Sequence, residues 1–187
     1  KKFKKAFEYS DCWIEDSRLV VLNAKDAAKL GAKIFVNTKV ISAKKDDGLW
    51  RVKTKDQITG QKEVFLSKVL INAGGPWVSD IIHNVLRVNT PEKVRLVRGS
   101  HIVVPKIWDH GKSYFFQGND GRIIFAIPYE TDFTLIGTTD IDHIELDEKP
   151  KCNELEKNYL INFANQYFDI ELKVEDIVWT YSGVRPL

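Results

Sequence analysis

From Thr90-Pro91 onward the sequence is a succession of short apolar stretches, 94–104, 113–116, 122–127 and 133–137, each closed by a turn signal. Asp109-His110-Gly111, Gly118-Asn119-Asp120-Gly121 and residues 129–132 supply the turns, because Gly, Asn and Asp accept the backbone angles a chain reversal needs. Strands joined this tightly pair mostly antiparallel. A helix is predicted over 153–168, with Leu155, Tyr159, Phe163 and Tyr167 on one face and Leu160 and Ala164 beside them. Asn153 and Glu156 have the spacing of a capping box at its start. A last strand is predicted over 177–184.

The first ninety residues have a different texture. Residues 16–30 carry Leu19, Leu22, Ala27 and Leu30 at helical spacing, and Gly31 ends the pattern. Residues 33–43 are strand-like. Residues 49–55 and 63–66 read as a hairpin about Thr59-Gly60. The stretch VLINAGGPW at 69–77 then reads as strand, glycine turn and helix start. Val69–Ile71 suits a buried strand. Gly74 and Gly75 allow a tight turn and close approach of a ligand, and Pro76 fits a first helical turn. Such a turn either presents free N–H groups to a phosphate or simply packs a helix against a sheet. The fold class is α/β (α+β), divided into residues 1–90 and 91–187.

Composition narrows the function classes. With 28 basic against 26 acidic residues, the charge balance gives no argument for nucleic acid. The opening cluster KKFKK reads as solvated, or as a weak membrane-surface contact. No apolar run approaches a bilayer-spanning length, and no signal peptide is visible. Cys12 and Cys152 lack metal-ligand spacing, so no metal is expected and a reducing compartment is the simplest expectation. The absence of methionine leads to the expectation of a piece of a longer protein.

Three segments could carry chemistry. Arg98-Gly99-Ser100-His101 interrupts an apolar strand. It fits either a bulge at Gly99 with His101 bonded in the core, or a histidine facing a pocket as general base. Gly137-Thr138-Thr139-Asp140 ends a strand, where the hydroxyls could serve a turn or a polar ligand. In WTYSGVRP, Arg185 offers a planar cationic fork to a phosphate or carboxylate, or pairs with a surface acid. His83, His110 and His143 receive no role, with His110 and His143 expected in loops. The acidic run Glu145, Asp147, Glu148 reads as a solvated loop.

Taken in order, YSDCWIEDSRLVVLNAKDAAKLGA, INAGGPWV, RLVRGSHIVVP, FAIPYETDFTLIGTTD and DIVWTYSGVRPL closely resemble the FAD-dependent glycerol-3-phosphate dehydrogenases, over residues 9–187. INAGGPW is shared more widely among flavoenzymes of the amino-acid-oxidase type. The resemblance implies a Rossmann-like FAD-binding domain, here partial, and an antiparallel-sheet substrate domain covering the flavin. It implies oxidation of glycerol 3-phosphate to dihydroxyacetone phosphate by hydride transfer to FAD, with a quinone as acceptor. It places Val40, Ala73, Gly74, Gly75 and Trp77 near FAD, and Ser100, Thr138, Thr139 and Arg185 in the substrate pocket. His101 becomes the acceptor of the hydroxyl proton or the group that orients that hydroxyl, with Arg185 beside it. It further implies peripheral attachment to the cytoplasmic face of a bacterial inner membrane, or to a mitochondrial inner membrane, and is compatible with a homodimer. Rivals are a glycerol-3-phosphate oxidase, a related amino-acid-oxidase-type enzyme and a non-catalytic binding module. No GxGxxG fingerprint occurs in the chain, so these 187 residues alone are expected to hold FAD weakly or not at all and not to turn over.

Overall fold

The structure is a computed structural model that describes residues 5–91, 94–144 and 149–187. Most of KKFKK and the run Glu145, Asp147, Glu148 lie outside those residues. The chain folds as two units. One comprises the chain up to Asn72 with Ile82–Asn89, the other Ala73–Ile81 with Thr90–Leu187. The glycines Gly74 and Gly75 belong to the second of these units.

In the first unit, helix α1 spans Asp16–Lys29. It stops where expected: Leu30 caps it, and Gly31 follows at φ +98°, a conformation that costs a glycine little. Strands β1 (Thr38–Asp46), β2 (Leu49–Asp56) and β3 (Lys62–Ser67) form an antiparallel three-stranded meander. The β2–β3 hairpin is the one the alternation predicts. Two expected strands do not form. Residues 34–36 and 69–73 pair with no strand among the described residues, and Ile71 is 81% exposed. Both runs are apolar enough for a buried parallel strand, but a strand exists only where a neighbour takes its N–H and C=O groups. Every ladder among the described residues is antiparallel. No residue of α1 is buried.

The second unit holds the larger core. Its strands are β4 (Leu96–Pro105), β5 (Tyr114–Gln117), β6 (Ile123–Tyr129), β7 (Phe133–Gly137), β8 (Ile141–Asp142) and β9 (Trp179–Pro186). They form one antiparallel sheet in the order β5-β6-β7-β4, with β8 and β9 also pairing β4. β7 and β8 are two parts of one interrupted neighbour of β4, at His101–Pro105 and Val97–Arg98 respectively. β9 pairs β4 from Leu96 to Val103 without a register shift, so Gly99 does not sit in a bulge. The irregularity is instead at Thr138–Asp140, between β7 and β8. This unit also holds a 3-10 turn at Gly75–Trp77 and an α turn α2 at Val78–Asp80; the π turn that follows, Ile81–Val85, falls mostly in the first unit.

Helix α3 (Glu154–Ala164) covers one face of the sheet. Its capping box forms in full: the Asn153 side chain accepts the Glu156 N–H at 2.9 Å, and the Glu156 carboxylate accepts the Asn153 N–H at 3.0 Å. Leu160, Ile161, Phe163 and Ala164 pack on Ile102, Val104, Ile124, Ala126 and Ile136. Leu155, expected on the buried face, is 80% exposed, and Glu156 takes the inward position. Replacing the fully buried Leu160 by Ala should lower unfolding free energy by about 3 kcal/mol through lost burial and a residual cavity. Leu155→Ala should change it by less than about 0.5 kcal/mol. Urea denaturation of both variants checks the assignment of the helix face.

Candidate active site

A strand sends alternate side chains to opposite faces, and β4 uses that rule to separate two kinds of chemistry. Arg98, Ser100, Ile102 and Val104 point toward α3. Val97, Gly99, His101 and Val103 point the other way. Cross-strand pairs share a face, so the row through His101 reads Phe115, Phe125, Gly137, His101, Tyr181 across the sheet. The His101 and Tyr181 rings stack, with centroids 4.7 Å apart and planes 5° from parallel. Phe115 and Phe125 meet edge to face at 5.2 Å. Gly137 makes room for this row, because a Cβ there would collide with the His101 imidazole.

The neighbouring row contains Gly99 opposite Gly183. A Cβ on Gly99 would collide with the Thr138 hydroxyl, so Thr138 lies against the same face as His101. A Cβ on Gly183 would meet nothing within 4 Å. Arg185, opposite Val97, follows on that face, half exposed, with a guanidinium nitrogen 3.5 Å from Asp140. The Gly75–Trp77 turn runs beside β9, within the same unit. Gly75 adopts φ +54° there.

The other face of β4 holds a buried carboxylate. Glu156, 1% exposed, accepts the Ser100 hydroxyl at 2.7 Å and the Thr139 hydroxyl at 2.8 Å on one oxygen. Its second oxygen takes the Arg98 guanidinium at 3.0 Å and the Asn153 N–H at 3.0 Å. The Ser182 hydroxyl lies 2.7 Å from that of Ser100. Since the Ser100 proton is directed at Glu156, Ser182 is the donor of this pair. Burial opposes ionisation of Glu156, but the Asn153 N–H, the two hydroxyls and the Arg98 charge together outweigh it and hold its carboxyl below the ordinary glutamate range.

The residues expected in the site thus fall in four places. His101, Thr138 and Arg185 share one face of the sheet. Ser100 and Thr139, 0% and 1% exposed, lie under it with their hydroxyls on Glu156. Ala73, Gly74, Gly75 and Trp77 form the segment leading into and through the turn beside β9. Val40 is on β1 of the first unit. Sequence reasoning missed Glu156, Tyr181 and the Gly99–Gly183 pair. The capping-box spacing marks Glu156 as a cap but not as the partner of Arg98, Ser100 and Thr139. His110 and His143 both lie in loops, the first 3.0 Å from the Tyr114 hydroxyl and the second buried.

The unit is an α+β fold with one sheet face partly open, lined by aromatic rings and Gly183, and bordered by a cation. Such a surface suits a flat ring with a polar, anionic neighbour. Comparison with known proteins identifies the lineage. The family described as FAD dependent oxidoreductase matches residues 1–187, and the chain belongs to that family. It is 47% identical to the D-erythritol 1-phosphate dehydrogenase of Brucella abortus (strain 2308), covering 100% of this chain and 37% of that protein. It is 42% identical to the aerobic glycerol-3-phosphate dehydrogenase of Escherichia coli (strain K12), with the same coverage. Among solved structures, the glycerol-3-phosphate dehydrogenase of Bacillus halodurans, complexed with FAD, superposes with a TM-score of 0.81 at 31% identity. That match covers 92% of this chain and 35% of that one. The chain therefore spans little more than a third of the length of the relatives it matches. FAD is the cofactor of the family. The open position at Gly183 and the ring-lined row fit the ring end of such a group.

Loss of the Glu156 side chain leaves Arg98 largely buried without its counter-charge. Glu156→Ala should cost about 3 kcal/mol. Because the folded-state pKa of Glu156 is depressed, the unfolded chain binds its proton first. The stabilisation is present in full above the ordinary glutamate pKa and fades as pH falls through the lower folded-state value. Urea midpoints measured from neutral to acid pH should fall more steeply for the parent than for Glu156→Gln.

Proposed function

We propose that the chain is part of a flavoprotein that oxidises sn-glycerol 3-phosphate at C2 to dihydroxyacetone phosphate. The observation that carries this reading is the shared sheet face of His101 and Arg185. Arg185 pairs with Val97, four residues along β4 from His101, or about 13 Å of strand. That span is of the size of a three-carbon phosphate extended by an arginine side chain, and the Arg185 guanidinium, now beside Asp140, is the cation on this face that would take the phosphate end. The glycerol-3-phosphate dehydrogenases among the relatives support the substrate.

FAD, when bound, supplies the acceptor for the hydride leaving C2. His101 receives the proton of the C2 hydroxyl, so that the C–H pair of electrons and the O–H proton leave separately and the carbonyl forms. Imidazole suits this because it titrates near neutral pH. Stacking on Tyr181 and the space over Gly137 fix the plane of the ring. Arg185 holds the phosphate, with Asp140 keeping the guanidinium oriented until substrate arrives. Thr138, against Gly99 on the same face, would border the substrate. Ser100 and Thr139 shape this face from beneath, through their bonds to Glu156.

The acceptor we propose for the reduced enzyme is a membrane quinone, with peripheral attachment to the cytoplasmic face of a bacterial inner membrane or to a mitochondrial inner membrane. The family resemblance and the word "aerobic" in the name of the E. coli relative favour that reading. No helix among the described residues is long and apolar enough to cross a membrane. A second substrate reading is favoured by a specific observation. The Brucella relative, at 47% identity, is named for D-erythritol 1-phosphate, a longer polyol phosphate.

Anaerobic titration of the full-length gene product with each phosphate decides between them. Bleaching of the visible flavin bands by glycerol 3-phosphate at lower concentration than by D-erythritol 1-phosphate is the expected result. The reverse order assigns the longer substrate, and bleaching by neither sinks the polyol-phosphate reading. His101→Asn should slow bleaching by about a hundredfold or more. Arg185→Lys, which keeps the charge but loses the fork, should chiefly weaken substrate binding.

A further inference from the structure

We infer that Glu156, on the face of the sheet away from the reaction, is a positioning residue for the site. The inference rests on the reading of His101, Thr138 and Arg185 as the reaction face. The three hydroxyl residues of the Glu156 network are each next in sequence to a residue on that face. Ser100 adjoins Gly99 and His101. Thr139 adjoins Thr138. Ser182 adjoins Tyr181 and Gly183. In a strand, fixing one side chain beneath the sheet fixes the direction of its neighbour above it.

The network also stands in for a missing piece of ladder. β7 leaves β4 at the His101–Gly137 pair, and β8 joins it again at Arg98–Ile141. Between them, Thr138–Asp140 has no regular strand pairing. It is held by the Ser100 N–H on the Thr139 hydroxyl at 2.8 Å and the Thr139 N–H on the Ser100 carbonyl at 3.2 Å. The Thr139 hydroxyl accepts from Ser100 N–H and donates to Glu156, so the carboxylate orients the bond that closes the gap. The carboxylate is itself fixed, because the Asn153 N–H binds one oxygen and the Asn153 side chain takes the Glu156 N–H. Through Ser100 and Ser182 the same anchor extends to β9, which carries Tyr181 and Arg185.

Stability alone is a poor account of this arrangement. A buried ion pair seldom stabilises more than apolar side chains of similar volume. What an apolar residue could not do is hold two hydroxyls, a guanidinium and a cap in one fixed geometry. Glu156 touches neither substrate nor flavin in this scheme and acts only through the strands it ties.

The test uses the full-length, flavin-loaded gene product and Glu156→Gln, with Glu154→Gln on the exposed side of the same helix as control. Flavin content, the bleaching rate constant, the half-saturating substrate concentration and the carbon-13-labelled His101 ring signal are measured. Stacking on Tyr181 makes that ring signal sensitive to the relative placement of β4 and β9. For folded Glu156→Gln we expect retained flavin, a displaced His101 signal, a bleaching rate down by about a hundredfold, and little change in half-saturation. Glu154→Gln should match the parent. A folded Glu156→Gln with an unmoved His101 signal and a rate within about twofold of the parent overturns the inference. If Glu156→Gln does not fold, Ser182→Ala cuts only the link to β9, and the same two readouts decide. If the parent itself is not bleached by either phosphate, the proposed reaction fails. The His101 signal then decides on its own: displaced in the variant, it sustains the positioning role, and unmoved, it removes it.

Discussion

A single buried carboxylate organises the second unit. Glu156 comes from the first turn of α3, where a capping box fixes its backbone and its side chain together. Taking such a charge out of water is costly unless every oxygen finds a donor. Here each oxygen finds two, from Ser100, Thr139, Arg98 and the Asn153 N–H. The cost of burial makes the arrangement restrictive. Any shift of β4, of the Thr138–Asp140 segment or of α3 leaves charge uncompensated, so the three are tied to one geometry. The apolar core of Ile102, Val104, Ile136 and Leu160 packs between the same elements.

Local signals in the sequence were sufficient for much of the fold. Gly31 ends α1, the alternation around Thr59-Gly60 makes the β2–β3 hairpin, and Asn153 and Glu156 cap α3, because each of these depends on residues close in the chain. The antiparallel sheet follows from its turns for the same reason. Failures occur where the partner is distant or decides the outcome. Residues 34–36 and 69–73 have strand composition but no neighbouring strand among the described residues. Leu155 has helical spacing with Tyr159 and Phe163, yet the face a helix buries is chosen by what it packs against. β8 is too short to be seen by any periodicity.

The site shows the same division. His101 and Arg185 are legible as unusual residues in apolar strands, and register places them on one face. Ser100 and Thr139 look equivalent to them in sequence but belong to the opposite side, a difference of one residue in a strand. Glu156 was visible as a cap and invisible as an anchor, because Ser100 and Arg98 lie 56 and 58 residues from it. The glycine pair at 99 and 183 is a two-strand feature, and neither glycine announces the other.

The alternation of β4 also bears on how such a protein could diverge. The strand separates a face that pairs with an open position on β9 from a face closed by the anchor. On the odd-numbered side the room is at Gly183, where a Cβ meets nothing within 4 Å and a larger residue would leave the anchor untouched; Gly99 is closed by the Thr138 hydroxyl, and Val97 and Val103 are buried. Even-numbered positions are bound by the needs of a buried charge and a packed core. A deletion or insertion of one residue in β4 would exchange the two faces at once, placing hydroxyls on the side of Tyr181 and an imidazole against Glu156. A substitution at Gly183 therefore leaves the anchor in place, whereas a change of strand length does not.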